Sequence, residues 1–263
     1  MLNTYNLTFA LYGVAFIVSA VTLAGSKKAQ RIFSYVFLAA GFVVNTTYIV
    51  QRWMEAGRAP FSNTFESLVL FSWTIALVQI AMYKKIKLPL LDTAAMLMVV
   101  LALAYSTFFD SEIQPLVPAL KSNWLTFHVS TCFLGYGGFA LSFVAAILYV
   151  VGSREKKRFS DEILASLDEV NSKTVAFGFQ FLTIGILTGA VWANSAWGTY
   201  WSWDPKEVWS LITWIIYACF LHGRYMQGWG PRVRAWIAII GFAAVLFTYF
   251  GVNFLLSGLH SYA

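Results

Sequence analysis

Apolar and polar positions fall in blocks along this chain. Eight apolar runs of about 20 residues, enough to cross a bilayer core as a helix, follow one another: Tyr5–Ala24, Ile32–Trp53, Thr64–Tyr83, Leu88–Phe108, Trp124–Val151, Val175–Trp192, Val208–Met226 and Ala235–Leu256. Short polar connections separate them, several marked by Gly or Pro. There is no long repeat and no low-complexity tract. The pattern predicts an all-α, polytopic integral membrane protein with about eight transmembrane helices.

Composition agrees. The 263 residues are 59% hydrophobic and 11% charged, against roughly 25% charged in soluble domains. The longest polar stretch, Ser153 to Lys173, is too short to bury a core, so residues 1–263 are expected to form a single membrane domain. The N-terminus, M-L-N-T-Y-N, carries no basic residue before the first apolar run. That run is therefore expected to be a retained span and not a signal peptide.

Charge sets the expected orientation. Most of the 18 Lys and Arg lie in alternate loops: Lys27, Lys28 and Arg31; Lys84, Lys85 and Lys87; Arg154, Lys156, Lys157, Arg158 and Lys173; Arg224, Arg232 and Arg234. The opposite loops hold Arg52, Arg58, Lys121 and Lys206. By the positive-inside rule the first set faces the cytoplasm, or the stroma in an organelle. Both termini and the loop between the sixth and seventh runs then face outward. The net charge of +6 follows from this asymmetry, and no nucleic-acid partner is expected.

That outer loop, at about residues 193–207, reads W-A-N-S-A-W-G-T-Y-W-S-W-D-P-K-E from Trp192 to Glu207. Flat side chains concentrated there suggest a platform for a large flat ligand. The three histidines suggest which one, since haem iron is commonly held by imidazole. His128 enters from the outer side in the fifth run, with Trp124 one helical turn away. His260 follows the eighth run on that same side. His222 lies deep in the seventh run, in the inner half of the membrane. Two imidazoles could cap both faces of one iron while aromatic rings bury the macrocycle edge.

Plainer readings compete. Tryptophans gather at membrane interfaces as an aromatic belt, although a belt needs no fixed spacing, no Gly and no Asp-Pro turn. An interfacial histidine is more often a satisfied polar residue than a ligand, whereas an ionisable residue inside a span points to function by default. Asp204-Pro205 also reads as a helix start, and Gly185 with Gly189 as a helix-packing pair. Cys132 and Cys219 form no C-x-x-C pair and read as small buried hydrophobes. No P-loop, G-x-G-x-x-G or Ser/His/Asp group is present, so direct ATP use by this chain is not supported.

The segment W-G-T-Y-W-S-W-D-P-K-E-V-W, the F-L-H-G-R around His222, the terminal G-V-N-F-L-L-S-G-L-H-S-Y and the earlier G-R-A-P-F-S-N-T-F-E-S-L together resemble the CcsA/ResC family of system II cytochrome c biogenesis. The Trp-rich motif alone marks a wider haem-handling group that includes CcmC and CcmF. The resemblance implies the haem-binding half of a cytochrome c synthase. Such a protein works with a CcsB/ResB partner to move haem b outward and join it to the C-x-x-C-H segment of apocytochrome c. In these terms His128 and His260 ligate haem at the outer site. Trp197, Gly198, Tyr200, Trp201, Trp203 and Asp204, with Trp124 nearby, receive the haem edge. His222 holds haem within the membrane together with a histidine of the partner. A thioredoxin-like thiol reductant is a further expected partner. The bacterial cytoplasmic membrane is the first expectation for location, the plastid thylakoid the second. The alternatives are a haem exporter or chaperone of the CcmC kind, and a b-type electron-transfer cytochrome. A solute or proton transporter would carry charges deep in several spans.

Overall fold

The computed structural model describes residues 2–25, 28–86, 88–117, 120–155 and 159–260. Lys27, Lys87, Lys156, Lys157 and Arg158 of the basic loops, the Lys28 side chain, and Ser261 and Tyr262 of the terminal motif lie outside the described residues. Among the described residues the secondary structure is entirely helical. It comprises α1 (Leu2–Gly25), α2 (Lys28–Ala56), α3 (Thr64–Ala81), α4 (Pro89–Ser106), α5 (Asn123–Gly152), α6 (Asp161–Trp197), α7 (Pro205–Tyr225) and α8 (Pro231–Leu246), then a π-helical turn (Phe247–Gly251) and a short α9 (Val252–Leu255). Seven helices are long and apolar enough to cross a membrane, which makes this an integral membrane protein. The helix outside that set is α7, which covers the seventh expected run. It is long enough, at 21 residues, but carries Lys206, Glu207, His222 and Arg224 near its two ends.

The chain forms two compact units, Met1–Gln114 and Pro115–Ala263. In the first, α1 packs on α2 and α4, and α3 packs on α2 and α4. Its conspicuous polar device is Glu66, in the first turn of α3. Asn63 caps that helix by accepting from the Glu66 amide at 2.8 Å, and Glu66 accepts in return from the Ser62 amide at 2.9 Å. The same carboxylate takes Arg52 at 2.9 Å and Arg58 at 3.1 Å. These arginines also hold the carbonyls of Ser111, Glu112 and Gln114. Arg52, Arg58 and Glu66 therefore form a buried charge knot that ties down the segment from Gly57 to Leu68. Removing one partner from such a cluster costs about 3–5 kcal/mol.

In the second unit α5 packs on α6 and α8, and α7 packs on α6 and α8. Small residues let α5 and α6 approach closely, as expected in membranes. A Cβ at Gly178 would lie 2.8 Å from the carbonyl oxygen of Gly135. The stretch before the sixth apolar run is not a loop throughout. Ser160 caps α6, Asp161 and Glu162 favour its N-terminal end, and Leu167 and Val170 bury one face. The helix thus starts at Asp161 and runs 37 residues to Trp197, which shortens the Trp-rich loop to residues 198–204. At the end of the unit formed by the start of α6 and the turn between α7 and α8, Asp168 bonds Arg234 at 2.6 Å and Arg224 at 3.3 Å.

Candidate functional site

Four chain segments meet at the opposite end of this unit: the start of α5, the end of α6, the start of α7 and the stretch after α9. The end of α6 supplies Trp192, only 1% exposed. The ring of His128 from α5 stacks on it, with centroids 6.0 Å apart and planes at 14°. The ring of His260 meets it edge-on at 5.5 Å. Trp197, one turn further along α6, touches both Trp192 at 4.7 Å and His260 at 4.8 Å. His128 and His260 are thus gathered around one buried indole.

Each imidazole is fixed through the same nitrogen. His128 Nδ1 lies 2.7 Å from the Gly185 carbonyl oxygen. A carbonyl can only accept, so Nδ1 carries the hydrogen and Nε2 of the neutral ring keeps its lone pair. His260 Nδ1 lies 2.7 Å from Asp204 Oδ2, and a carboxylate too can only accept, so this ring also donates through Nδ1 and points Nε2 away from its partner. A second hydrogen-bond partner that sets the ring orientation and leaves Nε2 free is how proteins prepare a histidine to bind a metal. The Gly185–Gly189 pair does more than pack helices. A Cβ at Gly189 would sit 2.5 Å from His128 Nδ1, so glycine makes the seat for that ring.

Asp204, Lys206 and Glu207 organise the rest. Asp204 caps α7, with Oδ2 accepting from the Lys206 amide at 3.0 Å. Its Oδ1 accepts from the Leu259 amide at 2.5 Å, which ties the chain beyond α9 to the helix start. Burial alone would raise the Asp204 carboxyl. The bond and charge of His260, with the amides of Lys206 and Leu259, outweigh it and hold the group below the usual carboxylate range. Glu207 closes a capping box. Its Oε2 accepts from the Asp204 amide at 3.1 Å and the Ser202 amide at 2.8 Å. Lys206 Nζ donates to Asn253 Oδ1 at 2.7 Å.

The loop between is short and bent. Gly198 ends α6 in the left-handed region at φ 80°, its amide bonded to Asn194. Trp203 adopts φ 61°, which is uncommon for a non-glycine residue and concentrates at functional sites. Trp203 is 70% exposed and Tyr200 60% exposed. Trp201 and Trp203 form their own perpendicular pair at 5.8 Å.

The sequence-predicted residues therefore divide. His128, Trp197, Asp204 and His260 come together, with Asp204 directed at His260 and the α7 backbone. Tyr200, Trp201 and Trp203 lie on the loop between Trp197 and Asp204, which starts at Gly198. Trp124 is 45% exposed and pairs with Phe127, and Trp192 takes the place beside His128 expected for it. His222 lies in the last turn of α7, roughly 25 Å along the helix axis from Pro205 at about 1.5 Å per residue. It is exposed and lies 3.3 Å from the Gln227 amide nitrogen. Sequence reasoning left Trp192, Gly189, Lys206 and Glu207 out of the site. The D-x-x-E spacing of Asp204 and Glu207 was the available sign of the capping box.

Comparison with known proteins adds a family. A model described as cytochrome C assembly protein matches residues 61–260. The cytochrome c biogenesis protein CcsA of Guillardia theta is 39% identical, with 90% of this chain and 88% of that one covered. The protein of the same name from Prochlorococcus marinus is 33% identical, with 99% and 95% covered. Among solved structures, cytochrome c heme lyase CcmF is similar with a TM-score of 0.70 at 17% identity, over 97% of this chain and 46% of that chain. At that identity the likeness speaks for the fold. From the family model and these relatives, the chain belongs to the cytochrome c assembly protein family.

Proposed function

We propose that this chain is the haem-binding membrane subunit of a cytochrome c synthase. With a CcsB/ResB-type partner it moves haem outward and presents it for thioether attachment to the C-x-x-C-H segment of apocytochrome c. The observation that carries this reading is the pair His128 and His260. Both imidazoles pack against Trp192 and each is held through Nδ1, which in this reading leaves Nε2 to bind iron. The family supports cytochrome c assembly as the setting.

Haem b is here the cargo. Two neutral imidazoles suit its iron, and the exposed Trp-rich loop suits the macrocycle edge. Each thioether forms by adding a cysteine S–H across a vinyl C=C, so no group leaves, and the contribution asked of the protein is positioning. The site end faces outward in this reading, away from the basic loops. His222, exposed at the opposite end of α7, serves haem in transit with a histidine from the partner. A thioredoxin-like protein keeps the acceptor cysteines reduced.

The test is co-expression with the partner and a C-x-x-C-H cytochrome in a host without its own maturation system. His128→Gly and His260→Gly should each lower haem retention and cytochrome yield, and added imidazole should restore both in part. Unchanged haem spectra in both variants exclude the ligand assignment. Retained haem with no attached cytochrome points to an exporter or chaperone instead.

A further inference from the structure

The first turn of α7 holds a cation that neither the helix cap nor the histidine pair uses. Lys206 follows Asp204 and Pro205, and among the described residues its half-buried ammonium makes one hydrogen bond, to the neutral amide oxygen of Asn253. An ammonium has three donors. The neighbouring carboxylates are committed elsewhere: Asp204 to His260, Leu259 and the Lys206 amide, Glu207 to Ser202 and the Asp204 amide. Among the described residues no carboxylate forms an ion pair with Lys206. Its backbone amide bonds the same Asp204 carboxylate that holds His260, so the side chain starts beside the histidine pair.

A partly buried ammonium that forms no ion pair among the described residues is costly, and the charge of Asp204 nearby offsets only part of that cost. The cost falls if the ligand brings the anion. Of the other cations outside the basic loops, Arg52 and Arg58 are committed to Glu66, and Lys121 is exposed. We infer that Lys206 receives a carboxylate of the ligand that His128 and His260 hold. It thereby sets which edge of a dicarboxylic tetrapyrrole turns toward α7 and which turns toward the Trp-rich loop. The inference rests on the haem reading above and adds the orientation of the ring. Asn253, on α9, holds the ammonium in place, and the π-helical turn before α9 brings Asn253 within reach of it.

The test compares haem b with its dimethyl ester, which lacks both carboxylates, on the full protein purified in detergent. Affinity is read from the Soret band. Wild type should bind haem more tightly than the ester. Lys206→Gln should weaken haem binding by about tenfold, the scale of one lost charged hydrogen bond, and leave the ester unchanged. Lys206→Arg should restore the preference. Equal losses for both ligands in Lys206→Gln would show a structural tie only and overturn the inference. So would equal binding of both ligands by wild type. If wild type binds neither ligand, the haem reading itself is wrong, an outcome distinct from the other two.

Discussion

His260 donates its Nδ1 hydrogen to Asp204 Oδ2 at 2.7 Å, across 56 residues of chain. The same carboxylate caps α7 and takes the Leu259 amide. One side chain therefore fixes the start of a helix, the path of the C-terminal stretch and the tautomer of a candidate iron ligand. Asp204 acts on the ring through His260.

Asp204→Asn tests that role. Asparagine still caps a helix, so the protein should accumulate normally. The loss of a charged partner for His260 should lower haem affinity by about 10- to 100-fold, the usual cost of losing such a partner. Haem titration with added imidazole checks it. Wild-type affinity in the variant would show that His260 needs no anionic partner.

Gly189→Ala should disturb His128 directly. The added Cβ meets Nδ1 at 2.5 Å and Cε1 at 2.7 Å, so ring or helix must shift, at about 1–3 kcal/mol. Haem retention should fall and recover in part with imidazole. Gly13→Ala is the control, because a Cβ there meets nothing within 4 Å. An unchanged haem spectrum for Gly189→Ala would refute the seat.

Trp203→Gly separates stability from function. The left-handed backbone at φ 61° costs a non-glycine residue about 1–2 kcal/mol. Glycine relieves it, and the lost indole is 70% exposed. The variant should melt no lower than wild type and yet mature little cytochrome. Normal maturation would leave the exposed indole without a part in haem placement.

His222→Ala should reduce haem loading of the His128–His260 site in cells and leave that site able to bind haem supplied in vitro. The expectation follows from its position near the far end of α7 from Asp204. The check is occupancy in cells set beside titration of the purified variant with its partner. Normal occupancy in cells, or no binding in vitro, contradicts a transit role.

Much of this was legible in the chain. Apolar runs of spanning length are a one-dimensional signal, because a membrane helix satisfies its own backbone and must be apolar along its length. The three histidines and the W-G-x-Y-W-x-W-D-P run stood out by residue type. The reach of α6 was not legible. Its first turns are polar, and Ser160, Asp161 and Glu162 act through capping and the helix dipole, not through hydropathy. The choice of Trp192 over Trp124 beside His128 was also hidden. An i, i+4 spacing puts two residues on one face of one helix, but it does not say which side chain a neighbouring helix brings to that face.

Read alone, the sequence determines the helical membrane class, the candidate ligands and the loop that carries the tryptophans, since each depends on composition and near spacing. Only the tertiary structure decides how those groups act together. The close approach of α5 and α6 at small residues sets His128 against the Gly185 carbonyl. The π-helical turn and α9 bring Asn253 and His260 back to the start of α7. Hydrogen bonds spanning 56 or 57 residues leave no local pattern, because they are fixed by helix packing and not by neighbours in sequence.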